Sequence, residues 1–281
     1  MRQARILDEV RRTGGARVAH LTALLGVSDM TVRRDLEALD RKGLLSKVHG
    51  GATAMDTASA IEPGFEVTSQ REVSEKEAIA ARAAQLVRPG MAIAITAGST
   101  TWTLARHLGD IANLTVVTNS LKVAEVLNAR QRPDLTVVLT GGLRTPSDGL
   151  VGPVAVQAIR SLHVDMVIMG VHGIDERAGL TTPNLLEAET NRALVESARR
   201  LVVVADHTKW GVVGLAQIAP LRAVTTLLTD DRLPPGAAEV LSEQVSEVII
   251  IPTEGDQESD THAGTTGHAG GPDRTATGSG R

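Results

Sequence analysis

Apolar residues near the start of the chain recur every three or four positions, which predicts three short helices. The repeats lie in residues 3–12, 20–25 and 28–42, and this spacing is typical of amphipathic helices. Ser28 can cap the third helix by accepting a hydrogen bond from its first turn, and Gly26 supplies a tight turn before it. Helices joined in this way form a helix-turn-helix, whose second helix enters the major groove of DNA.

The third predicted helix has one apolar face and one polar face. Val32, Leu36 and Leu39 fall on one stripe that needs burial. We expect this stripe to pack against the apolar residues of the two preceding helices, which are Ile6, Leu7, Val10, Leu21, Leu24 and Leu25. The outward face carries Met30, Arg33, Arg34, Glu37 and Arg41. Residues 44–51 (LLSKVHGG) then predict a short hairpin, called the wing below.

Several polar residues of this region also have a plain structural interpretation. Arg33 and Arg34 could be a solvated charged pair, but their position after a capped turn favours DNA contact. Asp35 is expected to be structural and paired with a basic side chain of the wing. The wing carries Lys47 and His49, and His49 either contacts a phosphate of the DNA or belongs only to the turn.

Beyond residue 72, apolar runs of strand length alternate with helical segments. The seven runs lie at residues 91–96, 114–118, 135–140, 164–169, 201–205, 224–229 and 247–251. Near-continuous runs of β-branched residues are typical of strands that are covered on both faces. The pattern therefore predicts an α/β fold with a parallel sheet.

The changes of pattern divide the chain into four parts. Residues 1–58 form a winged helix-turn-helix domain with its reading motif at about residues 20–39, and residues 59–72 form a linker with Phe65 as a local anchor. Residues 73–252 form the α/β domain. Residues 253–281 have almost no large apolar side chain, and we expect this tail to be disordered.

Composition and charge narrow the class of protein. The chain has 281 residues and no cysteine, which excludes disulfides and thiolate metal sites and suits a reducing cytoplasm. No run of about 20 apolar residues is present, so we expect no membrane partner. The net charge is -4, but residues 1–50 carry 10 basic against 6 acidic residues. The positive charge therefore lies where DNA contact is predicted.

The loop that follows the first predicted strand of the α/β domain is suited to an anion. Ligands of parallel sheets gather at the carboxyl ends of the strands. Gly98 lets the backbone approach a ligand, Ser99, Thr100 and Thr101 bring hydroxyl donors, and a helix that begins here adds positive potential. We expect a phosphate site, although the same residues would also form an ordinary helix cap.

Other predicted strand ends add polar groups to the same edge of the sheet. Residues 118–120 and 140–142 end two strands, and Asp206 and Lys209 follow another. Lys209 could neutralise a phosphate or hydrogen-bond a hydroxyl, whereas an isolated Asp-Lys pair is more often a surface ion pair. The histidines have no metal-ligand spacing, so we expect no metal and no cofactor.

Two stretches of the chain resemble the DeoR family of bacterial transcription regulators. Residues 24–52 (LLGVSDMTVRRDLEALDRKGLLSKVHGGA) are similar to its DNA-binding domain. Residues 74–251 are similar to its effector domain, whose fold resembles that of ribose-5-phosphate isomerase, through the loops at 98–101, 118–120, 140–142 and 206–211 and the helix at 185–194. The resemblance implies a Rossmann-like domain that binds a phosphorylated sugar on residues 98–101.

These observations and the resemblance together give two sets of candidate site residues. The residues expected to contact DNA are Ser28, Met30, Thr31, Arg33, Arg34, Lys47 and His49. The residues expected to bind the effector are Gly98, Ser99, Thr100, Thr101, Asn119, Gly141, Gly142, Glu187, Asp206 and Lys209. Among the second set, the resemblance implies that Asn119, Glu187, Asp206 and Lys209 face the sugar.

We therefore expect a cytoplasmic, homo-oligomeric regulator, a dimer or tetramer, that binds a double-stranded DNA operator. It would repress sugar-metabolism genes and leave the operator when a phosphorylated sugar binds. The alternative is an isomerase-like enzyme with an accessory helix-turn-helix, in which Glu187 or Asp206 would be the general base. Thr31, Arg33 and Arg34 on an outward face favour the regulator, because an enzyme has no need of them.

Overall fold

A computed structural model gives the fold and describes residues 2–13, 15–42, 44–48, 50–53 and 64–253. His49, the first part of the predicted linker and residues 254–281 of the predicted tail lie outside the described residues. We call residues 2–53 the N-terminal domain and residues 64–253 the larger domain.

The described elements follow one another in an order that changes from mostly helical to alternating. In chain order they are α1 (Arg2–Thr13), β1 (Gly15–Arg17), α2 (Val18–Leu25), α3 (Asp29–Arg41), β2 (Ser46–Val48), β3 (Gly51–Thr53), α4 (Phe65–Ser69), α5 (Val73–Ala84), β4 (Ala92–Ile95), α6 (Ser99–His107), β5 (Leu114–Thr118), α7 (Leu121–Asn128), β6 (Leu135–Leu139), β7 (Leu143–Arg144), β8 (Leu150–Val151), α8 (Pro153–Arg160), β9 (Met166–Met169), β10 (Gly173–Asp175), β11 (Gly179–Thr182), α9 (Leu185–Glu196), β12 (Leu201–Val204), β13 (Ala216–Ala219), β14 (Thr226–Asp230), α10 (Ala237–Gln244) and β15 (Glu247–Ile251). Short 3-10 helices lie at His207–Lys209 and Leu221–Ala223.

The N-terminal domain packs α1, α2 and α3 around a small apolar core. The predicted stripe of α3 is buried, and Ile6, Val10 and Leu21 pack against it. Leu24 was expected in this core, but 38% of it is exposed. The physical reason is that α2 begins at Val18, which is buried. Val18, Leu21 and Leu25 share the inward stripe at helical spacing, and Leu24 falls outside it.

The wing belongs to a small antiparallel sheet. Its strands lie in the order β1-β3-β2, so the predicted hairpin of β2 and β3 gains a third strand from the segment between α1 and α2. Val18 N–H also donates a hydrogen bond to Gly50 O at 2.9 Å. These contacts join the wing to the start of α2 and hold it beside the three helices.

The larger domain contains a seven-stranded parallel sheet, so the predicted α/β fold is confirmed. The strand order is β15-β14-β12-β9-β4-β5-β6, and every pair in it is parallel. Each of the seven predicted apolar runs supplies one of these strands. Helices α5, α6 and α7 cover one face of the sheet and α8, α9 and α10 cover the other.

The remaining elements of the larger domain were not predicted. β10, β11 and β13 form a separate antiparallel sheet, and β7 pairs with β8. Residues 65–69, which the sequence analysis assigned to a linker, form the helix α4. Among the described residues, no helix is both long and apolar enough to cross a membrane.

Candidate functional site

The turn between α2 and α3 has the geometry expected of a helix-turn-helix. Gly26 ends α2 with a φ of 65°, a conformation that glycine adopts without strain. Ser28 caps α3, because its Oγ accepts a hydrogen bond from Thr31 N–H at 3.4 Å. The Ser28 Oγ and Thr31 Oγ1 atoms also lie 2.9 Å apart. The two residues therefore define the start of α3 and the direction in which the helix leaves the turn.

The outward face of α3 presents cations and one large apolar side chain. Met30 is 62% exposed, and Arg33 and Arg34 are also exposed. Arg33 makes a weak ion pair with Asp29 one turn earlier, with 3.5 Å between Nη2 and Oδ2. Arg34 makes no hydrogen bond or ion pair with any other described residue, so its guanidinium is available to a ligand.

Asp35 is structural, as expected, but its partner is different from the one expected. The side chain is buried, and its Oδ2 lies 2.5 Å from Arg2 Nε. Gln3 Nε2 donates to its Oδ1 at 3.1 Å. The hydrogen bond from Arg2 lowers the pKa of Asp35. Because both donors come from the first turn of α1, Asp35 joins α3 to α1 and not to the wing.

Lys47 of the wing contacts two acidic residues of α3. Lys47 Nζ lies 2.6 Å from Glu37 Oε1, and Lys47 N–H donates to Asp40 Oδ1 at 3.0 Å. The hydrogen bond from Lys47 lowers the pKa of Glu37. This pair is exposed to solvent, so the ammonium group can exchange Glu37 for a phosphate at little cost.

A cleft opens in the larger domain at the carboxyl ends of the central strands β4, β9 and β12. Five of the predicted effector residues line it, namely Gly98, Ser99, Thr100, Glu187 and Lys209. The other lining residues are Thr68, Ala97, Ser147, Gly170, Val171, His172, Pro183, Val204 and Ala205. The cleft therefore combines a backbone turn, hydroxyl groups, one carboxylate and one ammonium group.

The loop of residues 98–101, called the Gly98 loop, brings hydroxyl groups and the start of α6 to the cleft. Gly98 has a φ of 153°, and a Cβ there would lie 3.1 Å from Thr101 Oγ1. The first hydrogen bond of α6 runs from Trp102 N–H to Gly98 O at 3.0 Å, which leaves the preceding three amide groups unpaired within the helix. The hydroxyl groups of Ser99 and Thr100 have no hydrogen-bond partner among the described residues. This geometry suits an anion at a helix N-terminus.

The other five predicted effector residues, Thr101, Asn119, Gly141, Gly142 and Asp206, lie outside the lining of the cleft, so the expectation that Asn119 and Asp206 face the sugar is not met. Thr101 is fully buried and its hydroxyl donates to Gly98 O at 2.9 Å, so it holds the loop. Asn119 is also buried, and its Oδ1 accepts from Ala97 N–H at 2.9 Å. Its side-chain amide is therefore occupied in positioning the same loop. Gly141 and Gly142 form the turn between β6 and β7 and do not reach the cleft.

Asp206 is buried behind the cleft. Its Oδ1 accepts from the backbone N–H and the hydroxyl of Thr208, while its Oδ2 is buried without a hydrogen-bond partner among the described residues. Lys76 of α5 is buried as well, and burial lowers the pKa of its ammonium group to about 8 although the charge of Asp206 opposes this shift. Lys76 was not predicted from the sequence, because a lysine in an amphipathic helix is normally solvated.

A second charged pair lies next to Asp206. His207 Nδ1 is 2.9 Å from Asp230 Oδ1, and His207 N–H donates to Asp230 Oδ2 at 2.7 Å. Burial alone would lower the pKa of His207, but the hydrogen bond and charge of Asp230 outweigh burial and raise it. No group of three or more potential metal ligands occurs among the described residues.

Comparison with known families gives two matches that together span most of the chain. Residues 2–58 match the family described as DeoR-like helix-turn-helix domain. Residues 71–231 match the family described as DeoR C terminal sensor domain. Both matches agree with the resemblance found in the sequence.

Individual proteins similar to this chain are transcription regulators. The HTH-type transcriptional regulator GolR of Listeria innocua is 35% identical over 233 residues, which cover 83% of this chain and 91% of GolR. The Glycerol-3-phosphate regulon repressor of Escherichia coli K12 is 31% identical over 239 residues, which cover 85% of this chain and 93% of that repressor. Among solved structures, ribose 5-phosphate isomerase A from Methanocaldococcus jannaschii shares 19% identity at a TM-score of 0.35, over 48% of this chain and 53% of that one.

Proposed function

Because this chain belongs to the DeoR family of transcription regulators, we propose that it represses sugar-metabolism genes and is released from its operator by a phosphorylated sugar. The family and the relatives are regulators and not enzymes, which argues against the isomerase alternative. The observation that carries the effector part of the proposal is the Gly98 loop, which lines the cleft and in which the hydroxyl groups of Ser99 and Thr100 have no hydrogen-bond partner among the described residues.

The DNA contacts would be made by the outward face of α3 and by the wing. Ser28 and Thr31 at the start of α3 reach phosphates, while Met30, Arg33 and Arg34 enter the major groove. Lys47 leaves Glu37 for a phosphate on the flank of the site, and His49 lies two residues further along the wing. One such domain covers too small a surface to select a site in a genome, so we include homo-oligomerisation in the proposal. Such a regulator acts in the cytoplasm.

The effector would lie across the cleft with its phosphate on the Gly98 loop. Ser99 and Thr100 donate hydroxyl and amide hydrogens to the phosphate oxygens, and Lys209 supplies a positive charge from the opposite strand end. Glu187 already accepts from Thr182 Oγ1 at 2.7 Å, and its carboxylate suits a sugar hydroxyl. Asp206 is buried behind Lys209 and orients this side of the cleft without contacting the effector itself. A repressor of the glycerol-3-phosphate regulon among the relatives is consistent with a small phosphate ester.

The DNA-binding half of the proposal is tested by anisotropy of a labelled duplex taken from the region upstream of the protein's own gene. Arg34→Ala is expected to weaken binding by about 1–3 kcal/mol if the guanidinium reads a base. Arg160→Ala, an exposed arginine at the end of α8, is the matched control and should bind as the parent does. Equal binding by the parent and Arg34→Ala would refute this role of α3.

The effector half is tested with inorganic phosphate, glycerol 3-phosphate, ribose 5-phosphate and fructose 6-phosphate, called the phosphate set below. At least one member is expected to raise the melting temperature of the larger domain and to weaken operator binding. Thr100→Ala should bind the operator as the parent does and respond less to that compound. Thr136→Ala, on the exposed edge strand β6, is the control. If Thr100→Ala is released like the parent, the phosphate does not bind on the Gly98 loop.

A further inference from the structure

Helix α4 is both a wall of the cleft and the first described element after the N-terminal domain. Thr68 lines the cleft together with the Gly98 loop. Only residues 54–63 separate the end of β3 from the residue that precedes α4. α4 is therefore joined to the wing by a short length of chain, whereas the other residues that line the cleft lie further from the wing along the sequence.

Phe65 attaches α4 to the helix that carries the candidate phosphate loop. Its ring lies edge-on against Trp102 of α6, with 5.6 Å between ring centroids and an interplanar angle of 88°. Phe65 is buried, and its N–H donates to Pro146 O at 3.2 Å. Trp102 is also the residue whose N–H closes the first turn of α6 on Gly98. A shift of the first turn of α6 would therefore move the ring that Phe65 packs against.

Lys76 fixes the other end of α4. Its Nζ donates to Thr68 O at 2.7 Å and to Arg71 O at 2.5 Å. These carbonyl groups lie at the carboxyl end of α4 and in the turn that follows, where a cation is favoured, and Thr68 O also accepts a hydrogen bond from Arg71 N–H at 3.3 Å. The ammonium group is buried and shares its surroundings with the charges of Asp206 and Lys209. Lys76 thus holds the end of α4 within the electrostatic reach of the charged groups that follow β12.

We propose that α4 passes the occupancy of the effector site to the DNA-binding domain, with Thr68 contacting the effector and Lys76 acting as the positioning residue that holds α4. The inference rests on the effector site proposed above. An effector changes DNA affinity only if it binds the DNA-competent and DNA-incompetent arrangements unequally. A ligand on the Gly98 loop that also touches Thr68 favours one position of α4, and α4 leads into the wing.

The test measures coupling separately from binding. We use the member of the phosphate set that raises the melting temperature of the parent most, and take the ratio of operator Kd values with and without it. The parent is expected to show a ratio of about ten or more, as is common for allosteric regulators. Lys76→Met keeps a side chain of similar length but removes both hydrogen bonds to α4. It should retain the melting shift, which reports effector binding, and lose most of the ratio.

Two further variants provide a second test of α4 and a matched control. Phe65→Leu removes the ring contact with Trp102 while leaving Lys76 intact, and it should also reduce the ratio to less than about threefold. Glu66→Ala changes an exposed side chain on the same helix and should keep the parental ratio. If Lys76→Met and Phe65→Leu are both released like the parent, α4 is not the route and the effector site still stands. If no member of the phosphate set changes operator binding by the parent, the proposed function fails and this inference fails with it.

Discussion

Raising the pH from 8 to 10 is expected to stabilise the larger domain through Lys76. Its pKa in the folded protein is about 8, compared with an ordinary value of 10.5. Below pH 8 the ammonium group is charged in both states, and the cost of burying its charge is fully present. Between pH 8 and pH 10.5 the unfolded chain holds the proton more tightly than the folded protein does. The free energy of unfolding therefore rises with pH in this window.

The size of the effect follows from the two pKa values. Each pKa unit corresponds to about 1.4 kcal/mol, so the complete change is about 3 kcal/mol, of which about 2 kcal/mol falls between pH 7.5 and pH 10. The chain is well suited to this measurement because it has no tyrosine and no cysteine, and lysines are the side chains that ordinarily titrate in the window. Exposed lysine ion pairs contribute less than about 1 kcal/mol each and act in the opposite direction.

Urea unfolding followed by tryptophan fluorescence at pH 7.5 and pH 10 measures this change. Both tryptophans, Trp102 and Trp210, lie in the larger domain, so the signal reports that domain. The parent should have a higher urea midpoint at pH 10, and Lys76→Met should lack most of this increase. Lys122→Met, which removes a partly exposed lysine, should keep it. An equal increase in the parent and in Lys76→Met would show that the ammonium group is not buried as described.

Three other changes have expected outcomes. His207 has a raised pKa because the interaction with Asp230 is stronger than the opposing effect of burial. The protonated imidazole therefore stabilises the fold below pH 6.5, and this stabilisation is lost as pH rises through the raised pKa. His207→Gln should flatten the fall in melting temperature between pH 6 and pH 8. Leu36→Ala leaves a hole in the core of the N-terminal domain and should cost about 2–5 kcal/mol, abolishing operator binding while tryptophan-detected unfolding stays unchanged. Arg2→Ala leaves Asp35 buried without its cation, so it should lower the melting temperature measured by circular dichroism and also the affinity for the operator. Parental values for both would contradict the role of the Arg2–Asp35 pair in joining α1 to α3.

The elements with a strong repeating pattern were predictable from the sequence. The seven strands of the parallel sheet are near-continuous apolar runs, and α3 has both a cap at Ser28 and an apolar stripe. The short elements were missed for a physical reason. β1, β7 and β8 have two or three residues each, so their apolar pattern does not repeat, and they exist because a neighbouring strand is available for pairing. α4 was missed because its five residues depend on the contact between Phe65 and Trp102.

Part of the candidate site was predictable from the sequence, because Glu187 and Lys209 line the cleft as well as the Gly98 loop. Ser99 and Thr100 were found because local sequence determines a Gly-rich helix start. Asn119 has the right residue type at a strand end, but its amide is used by Ala97, which no local pattern reveals. Thr68 and Lys76 come from helices that precede the first strand of the parallel sheet, and tertiary packing alone brings Thr68 to the cleft and Lys76 to the end of α4.

Loops between the strands supply much of the lining of the cleft, and of the lining residues Val204 and Ala205 also pack in the core around the sheet. Ser147, His172 and Pro183 each belong to a different connection, so exchanging one alters the inner shape of the cleft without a change in the strands. We expect that replacing a few of these loop residues changes the ligand preference of the cleft while the outward face of α3 stays the same. The same separation makes the cleft a practical target for engineering a biosensor with altered ligand preference.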